Sequence, residues 1–447
     1  MDAHMISSRI FGHLWSTPES QAIFGEQARV ERWLDVIIAL AEAQAECGII
    51  PRAAAADISA LRGTELPIEK IAERTRSTGH STLGLILTLR ELLPPTAAEY
   101  VYYGATVQDI TDTSQSLEVR SVGSLLWRDL RHIEEMLLAL ASEHRETPMA
   151  GRTHGQIGSP ISFGFKAASW ADEIGRHIER LSEGRDRWLV GQLAGAVGTL
   201  GFFDELGLAL RSAFFQRLSL GEPAISWLSA RDRIVEFAHV IATAATSLAR
   251  IGNEVYTLQR QEIGELRERA SPSTVGSITM PHKRNPERSE QIVTLAQAAR
   301  AQAGVLADAM VHEHERDGRT WKVEWAAFPA LGHYVLSAAS LSKALLSGLE
   351  VDAAAMARNL AMVSASEHLL SVMATRIGKH QAQELLQRAF LAAKENGVSL
   401  HSVLAEKASK EELALLSSVK LGSSAKMVDT VVECARRRRS FEPETWQ

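Results

Sequence analysis

The clearest pattern in this chain is a stripe of apolar residues between Arg231 and Leu258. Ile234, Phe237, Ile241, Ala244, Leu248, Ile251, Val255 and Leu258 follow one another at steps of three and four. That spacing puts one continuous apolar face on a long helix, of the kind that forms the seam of a helix bundle. Leu117 to Leu140 and Ile161 to Leu181 repeat the pattern less cleanly. Prolines are absent between Pro95 and Pro148, Pro160 and Pro223, Pro223 and Pro272, and Pro329 and Pro443. Each of these gaps is rich in Ala, Leu, Glu and Arg, which favour helix. No segment alternates convincingly with period two. The pattern predicts an all-α protein whose long helices form a bundle.

Punctuation sets coarse boundaries. Residues 1–110 carry shorter helices broken by Pro18, Pro51, Pro67 and Pro94-Pro95, and read as an N-terminal helical domain. Residues 111–355 hold the long helices, and 356–447 read as a C-terminal helical cap. Arg436 to Arg439 form a run of four arginines, read as a solvated helix end or tail.

Composition narrows the function classes. A chain of 447 residues is long enough for two or three domains, and 45% hydrophobic with 23% charged residues is ordinary for a soluble globular protein. A formal net charge of -6 argues against nucleic acid or an anionic membrane as the main partner. Cys47 and Cys434 lie far apart without metal-ligand spacing, which fits a reducing cytoplasm. The first residues lack the layout of a secretory signal, and no apolar run reads as long enough to span a bilayer. No metal cluster or dinucleotide fingerprint stands out, so no cofactor is expected.

The candidate chemistry concentrates in VGSITMPHKRNPERSE, residues 275–290. Asn285-Pro286 reads as a helix start, with Asn as N-cap and Pro in the first helical position. Free N–H groups there, flanked by Lys283 and Asn285, suit a carboxylate or phosphate. Ser271 to Thr279 reads as a mobile loop over that site. A polar loop that merely caps a helix is the plainer alternative.

Gly276, Ser277, Met280, Pro281, Lys283, Asn285 and Pro286 together resemble the signature of the fumarase/aspartase superfamily. The wording MPHKRNP is most similar to its adenylosuccinate lyase and 3-carboxy-cis,cis-muconate cycloisomerase branch. WLDVIIALAEAQAECGIIP (33–51), YYGATVQDITDT (102–113), GRTHGQIGSPISFGFKAASW (151–170), GAVGT (195–199) and HERD (314–317) extend the resemblance over nearly the whole chain. It implies three helical domains and a homotetramer in which four bundles pack into a twenty-helix core, with sites shared between subunits. It also implies a small-molecule dicarboxylate substrate and no cofactor.

The chemistry implied is β-elimination next to a carboxylate. A base takes a proton, the resulting aci-carboxylate is held by cations and N–H donors, and an acid protonates the departing atom. By the resemblance Ser277 is the base, His154 the general acid and Glu290 the glutamate paired with it. Lys283 and Asn285 hold a substrate carboxylate, with Met280 beside them. Thr106, Gln108 and Thr153 line the substrate, as does His80, whose match is imperfect and whose alternative is a polar loop residue. Arg316 faces the site, or forms a structural salt bridge.

Departures from the pattern bear on the substrate. Tyr102, Val107, Ala230 and Ile278 replace polar groups typical of adenylosuccinate lyase. GRTWKVEW follows HERD, with Trp321 and Trp325 where that lyase holds a nucleotide phosphate. The muconate enzyme, in turn, has tryptophan at His154 and lacks Glu290. The leading expectation is C–N elimination from an N-substituted aspartate or related succinyl compound, releasing fumarate. A muconate-type cycloisomerase and a non-catalytic structural homologue are the alternatives.

Overall fold

A computed structural model of the protein describes residues 4–269, 277–280, 282–361 and 366–446. Gly276 and Pro281 of the signature, and most of the loop before Ser277, lie outside these.

Five long helices make the bundle: α2 (Val107–Glu143), α3 (Phe163–Trp188), α4 (Asp232–Leu258), α5 (Glu287–Asp308) and α6 (Gly318–Ser347). An earlier helix, α1 (Glu26–Glu46), anchors the N-terminal region. Every residue of the predicted α4 stripe is buried. The stripe packs on α5, α6 and α3, while α2 packs on α3 and α6. By length and composition α4 is apolar enough to cross a membrane, contrary to the sequence reading, but 67% of that stretch is buried inside the protein's own core.

Two short antiparallel ribbons interrupt the helices. β1 (Pro148–Thr153) pairs with β2 (Gln156–Ser162), and β3 (Leu266–Glu268) with β4 (Leu349–Val351). The all-α class holds, but the first ribbon is extended chain where the sequence shows no convincing period-two alternation, and it takes Ile161 and Ser162 out of the helix that starts at Phe163. Its signal was weak because Gly, Pro and Ser interrupt the alternation.

Among the described residues three apolar cores form. The N-terminal core joins helices before residue 110 to Leu193, Leu200, Phe203, Leu210 and Phe214, so the middle segment is not wholly bundle. The cap has its own core around Leu369, Met373, Leu386 and Leu404. The last helix, α7 (Ser424–Arg439), leaves the cap and packs on α3 and α2. Val428 and Trp446 enter the bundle core. Trp446 donates its indole N–H to the Leu181 carbonyl at 3.0 Å. Its ring fills the space above Gly123, where a Cβ would lie 2.4 Å from it.

The arginine run is therefore not a solvated tail. Arg438 pairs with the buried carboxylate of Glu134 and, at 2.9 Å, with Glu442. Arg439 donates to the Arg131 carbonyl at 2.6 Å. Only Arg436 and Arg437 are exposed.

Candidate active site

The start of α2 organises one half of the site. Thr106 is its N-cap, and Asp109, three residues on, accepts the Thr106 N–H at 2.8 Å. This is one arm of a capping box. The same carboxylate reaches the GAVGT loop, accepting the N–H groups of Ala194 at 2.7 Å and Gly195 at 3.3 Å. Burial pushes the Asp109 pKa up to about 7, against the opposing pull of these three donors and of Arg316.

Arg316 meets this assembly from the segment before α6. Its Nη2 donates to the Thr106 hydroxyl at 2.8 Å and to the Gly195 carbonyl at 3.1 Å. Among the described residues no carboxylate lies within ion-pair distance of it, which removes the structural salt bridge as its role. Among the described residues its buried Nε has no partner. The result is a half-buried guanidinium, oriented by two neutral oxygens, with the Asp109 carboxylate near it but not bonded to it. Tyr102 sits beside it with φ at 62°, a backbone conformation that costs energy for a bulky residue. Burial raises the Tyr102 pKa, so the phenol stays protonated.

Gln108 points away from this group, into the core. Its side chain is fully buried, its Nε2 donating to the Leu228 carbonyl at 3.1 Å and to Asp112 at 3.2 Å. Residues two apart on a helix point about 200° apart, so Gln108 turns away from the side that Thr106 presents. Gln108 instead joins a buried knot. Arg231 bonds Asp112 at 2.8 Å and Glu324 at 2.7 Å, and the Trp321 indole donates to Asp112 at 3.0 Å. The knot ties together the starts of α2, α4 and α6. Trp325 packs edge-on against Trp321, with centroids 4.8 Å apart.

His154 and Thr153 lie at an exposed hairpin tip. His154 and Gly155 have φ of 54° and 72°, and Thr153 pairs with Gln156. Two left-handed residues between paired strands make the primed turn that suits strand twist. Just behind the tip the hairpin is held by Arg152, which grips the buried Glu265 carboxylate with two bonds of 2.9 and 2.7 Å. His80 is exposed, and its Nδ1 accepts the Leu83 N–H at 3.3 Å, capping the helix Leu83–Leu92.

The signature segment forms a third group. Ser277 is half-buried, and its Oγ accepts the Met280 N–H at 3.0 Å. Met280, Lys283 and Glu290 are exposed and Asn285 is half-buried. The helix start differs from expectation. Pro286 is the N-cap and α5 begins at Glu287. The Glu268 carboxylate accepts the N–H groups of Arg288 at 3.2 Å and Ser289 at 2.8 Å. Those donors are already satisfied, so the anion expected at this helix end would have to rely on side chains instead.

Within one chain, then, the structure joins Thr106, Asp109, Gly195 and Arg316. His154 and Glu290 form no ion pair with each other. Sequence reasoning missed Asp109. An acidic residue three positions after a threonine was the available signal. Among the described residues no three His, Cys, Asp or Glu side chains stand together as a metal site would require.

Comparison with known proteins agrees with this picture. A family model described as a lyase matches residues 15–301. N-acetyl-S-(2-succino)cysteine lyase from Dickeya dadantii is 38% identical over 410 residues, covering 91% of this chain and 90% of that one. A 3-carboxy-cis,cis-muconate cycloisomerase from Pseudomonas aeruginosa is 37% identical, covering 90% and 89%. Among solved structures, the 3-carboxy-cis,cis-muconate lactonizing enzyme of Pseudomonas putida superposes with a TM-score of 0.89 at 32% identity, covering 96% and 99%. The chain belongs to the fumarase/aspartase superfamily, and is a lyase.

Proposed function

We propose that this lyase catalyses anti β-elimination from a 2-substituted succinate and releases fumarate. The observation that carries the reading is Arg316: a guanidinium fixed by Thr106 and Gly195 and, among the described residues, in no ion pair with a carboxylate. Such a group suits a substrate carboxylate.

The steps follow from the residues. Ser277 removes a proton from the carbon next to the leaving-group carbon. Its hydroxyl needs donors around the oxygen to act as a base, and the Met280 N–H is one. The electron pair passes through the aci-carboxylate, held by cationic groups such as Lys283 and Arg316. The bond to the leaving atom then breaks, the double bond forms, and His154 gives that atom a proton. Glu290 orients and tunes His154. The two do not pair within one chain, which supports a site shared between subunits of the homotetramer that the resemblance implies, with the exposed hairpin tip serving a neighbouring subunit.

Sequence reasoning favours nitrogen as the leaving atom. Relatives named for N-acetyl-S-(2-succino)cysteine, at 38% identity, favour a thioether. We take the succinyl thioether as the first substrate to test and the N-substituted aspartate as the second. A nucleotide is disfavoured because Trp321 and Trp325 pack together where a phosphate would need donors. The muconate relatives support cycloisomerisation as a second reading.

Run in reverse, the reaction is its own assay. Incubating the protein with fumarate and a pool of thiols and amines should yield an adduct visible by mass spectrometry and absent with Ser277→Ala. A thiol adduct identifies the thioether reaction. Untouched fumarate moves the assignment to the cycloisomerase.

A further inference from the structure

We propose that Asp109 is a positioning residue that sets Arg316 for the substrate carboxylate, acting through Thr106 and the Gly195 peptide. This rests on reading Arg316 as the carboxylate anchor.

The geometry forms a closed circuit. Arg316 is oriented by two oxygens, the Thr106 hydroxyl and the Gly195 carbonyl. Asp109 accepts the backbone N–H of both those residues, and of Ala194 immediately before Gly195. The carboxylate thus holds the two residues that hold the guanidinium, although it makes no ion pair with Arg316 itself.

A helix cap alone does not explain this arrangement. The capping box needs only the bond from Thr106. The bonds from Ala194 and Gly195 come from 85 and 86 residues away, and no helix end requires them. Gly195 is suited to the task, since its φ of 69° turns the chain sharply between an N–H aimed at Asp109 and a carbonyl aimed at Arg316. The side chain is also difficult to replace. It receives three N–H donors on two acceptor oxygens. Asparagine would present an NH2 to at least one of them, and glutamate would be one carbon too long.

Residues linked in this way should be coupled in a double-mutant cycle. Succinate is the probe, because it carries the two carboxylates and cannot eliminate. Its affinity is measured by calorimetry on the intact protein. Asp109→Asn should weaken succinate about tenfold, on the scale of a lost hydrogen bond to a charged group. In an Arg316→Ala background the same change should alter affinity less than about twofold. With the turnover substrate, KM should rise with the succinate constant while kcat changes less. A role in folding alone would lower thermal stability in both backgrounds and leave the cycle additive.

Thr106→Val provides a second route if Asp109→Asn folds poorly. It removes the hydroxyl and leaves all three Asp109 bonds available. It should weaken succinate severalfold, with recovery in Thr106→Ser. Additive effects of Asp109→Asn and Arg316→Ala, or unchanged affinity in Thr106→Val, overturn the proposal alone. Unchanged affinity in Arg316→Ala overturns the anchor reading and this proposal with it.

Discussion

The Glu268 carboxylate accepts the backbone N–H of Ser289 at 2.8 Å, and so caps a helix that begins nearly twenty residues further along the chain. It also accepts the N–H of Arg288. Glu268 sits on β3, which is itself paired to β4, so the start of α5 is tied to the ribbon. Replacing Glu268 by Ala should cost about 1–2 kcal/mol, the usual worth of a cap reinforced by the helix dipole. Thermal unfolding of Glu268→Ala beside Glu268→Gln checks this. Equal stability of wild type and both variants would show that the cap contributes nothing.

Ser277 is followed by the exposed Ile278, Thr279 and Met280, so its removal should be felt in chemistry and not in stability. Ser277→Ala should lower turnover by about 10²–10⁴-fold with no change in melting temperature. Fumarate release by stopped assay and thermal unfolding of the same sample separate the two. Substantial turnover without the hydroxyl would remove Ser277 as the base.

His154 is expected to matter in proportion to the basicity of the leaving atom. A thiolate departs with less help than an amine anion. His154→Ala should therefore reduce turnover about 100-fold on an N-substituted aspartate and less than about tenfold on a succinyl thioether. Equal losses on both substrates would argue that His154 positions the substrate and does not protonate it.

Acid sensitivity should trace partly to His177. It is 2% exposed, its Nε2 bonds Ser247 at 2.8 Å, and Arg180 faces its Nδ1. Ser247 gives its own proton to Glu173, so it accepts from the imidazole. Both ring nitrogens are thus used by the neutral form. Burial lowers the pKa to about 4, from about 6.5 in the unfolded chain. A depressed folded-state value stabilises the protein above pH 6.5, and that contribution is lost as pH falls from 6.5 towards 4. His177→Gln should flatten the decline in stability across this window. An identical pH profile would remove His177 as the cause.

The C-terminal arginines should be strongly unequal. Glu134 is nearly inaccessible and depends on Arg438 for its charge partner. Arg438→Ala leaves that carboxylate buried and unpaired, at a cost of about 3–5 kcal/mol. Arg436→Ala, on an exposed position, should stay within about 0.5 kcal/mol of wild type. Denaturant unfolding of both variants tests the contrast. Similar stabilities would return the run to a solvated tail.

The sequence by itself determined the helical class, the buried stripe of α4 and the family signature around Ser277. These depend on local periodicity, or on residues close together in the chain, so they can be read without coordinates. Tertiary structure decided what each polar residue touches. Asp109 gains its role only when the loop at 194–195 folds against α2. Gln108 turns into the core, where it bonds Leu228 and Asp112. The hairpin that carries His154 was hidden by glycine and proline within weak strands, and Glu268 and Arg438 find partners 21 and 304 residues away. Hydrogen bonds and ion pairs at such separations are fixed by packing. Sequence shows which donors and acceptors are present, and only the fold pairs them.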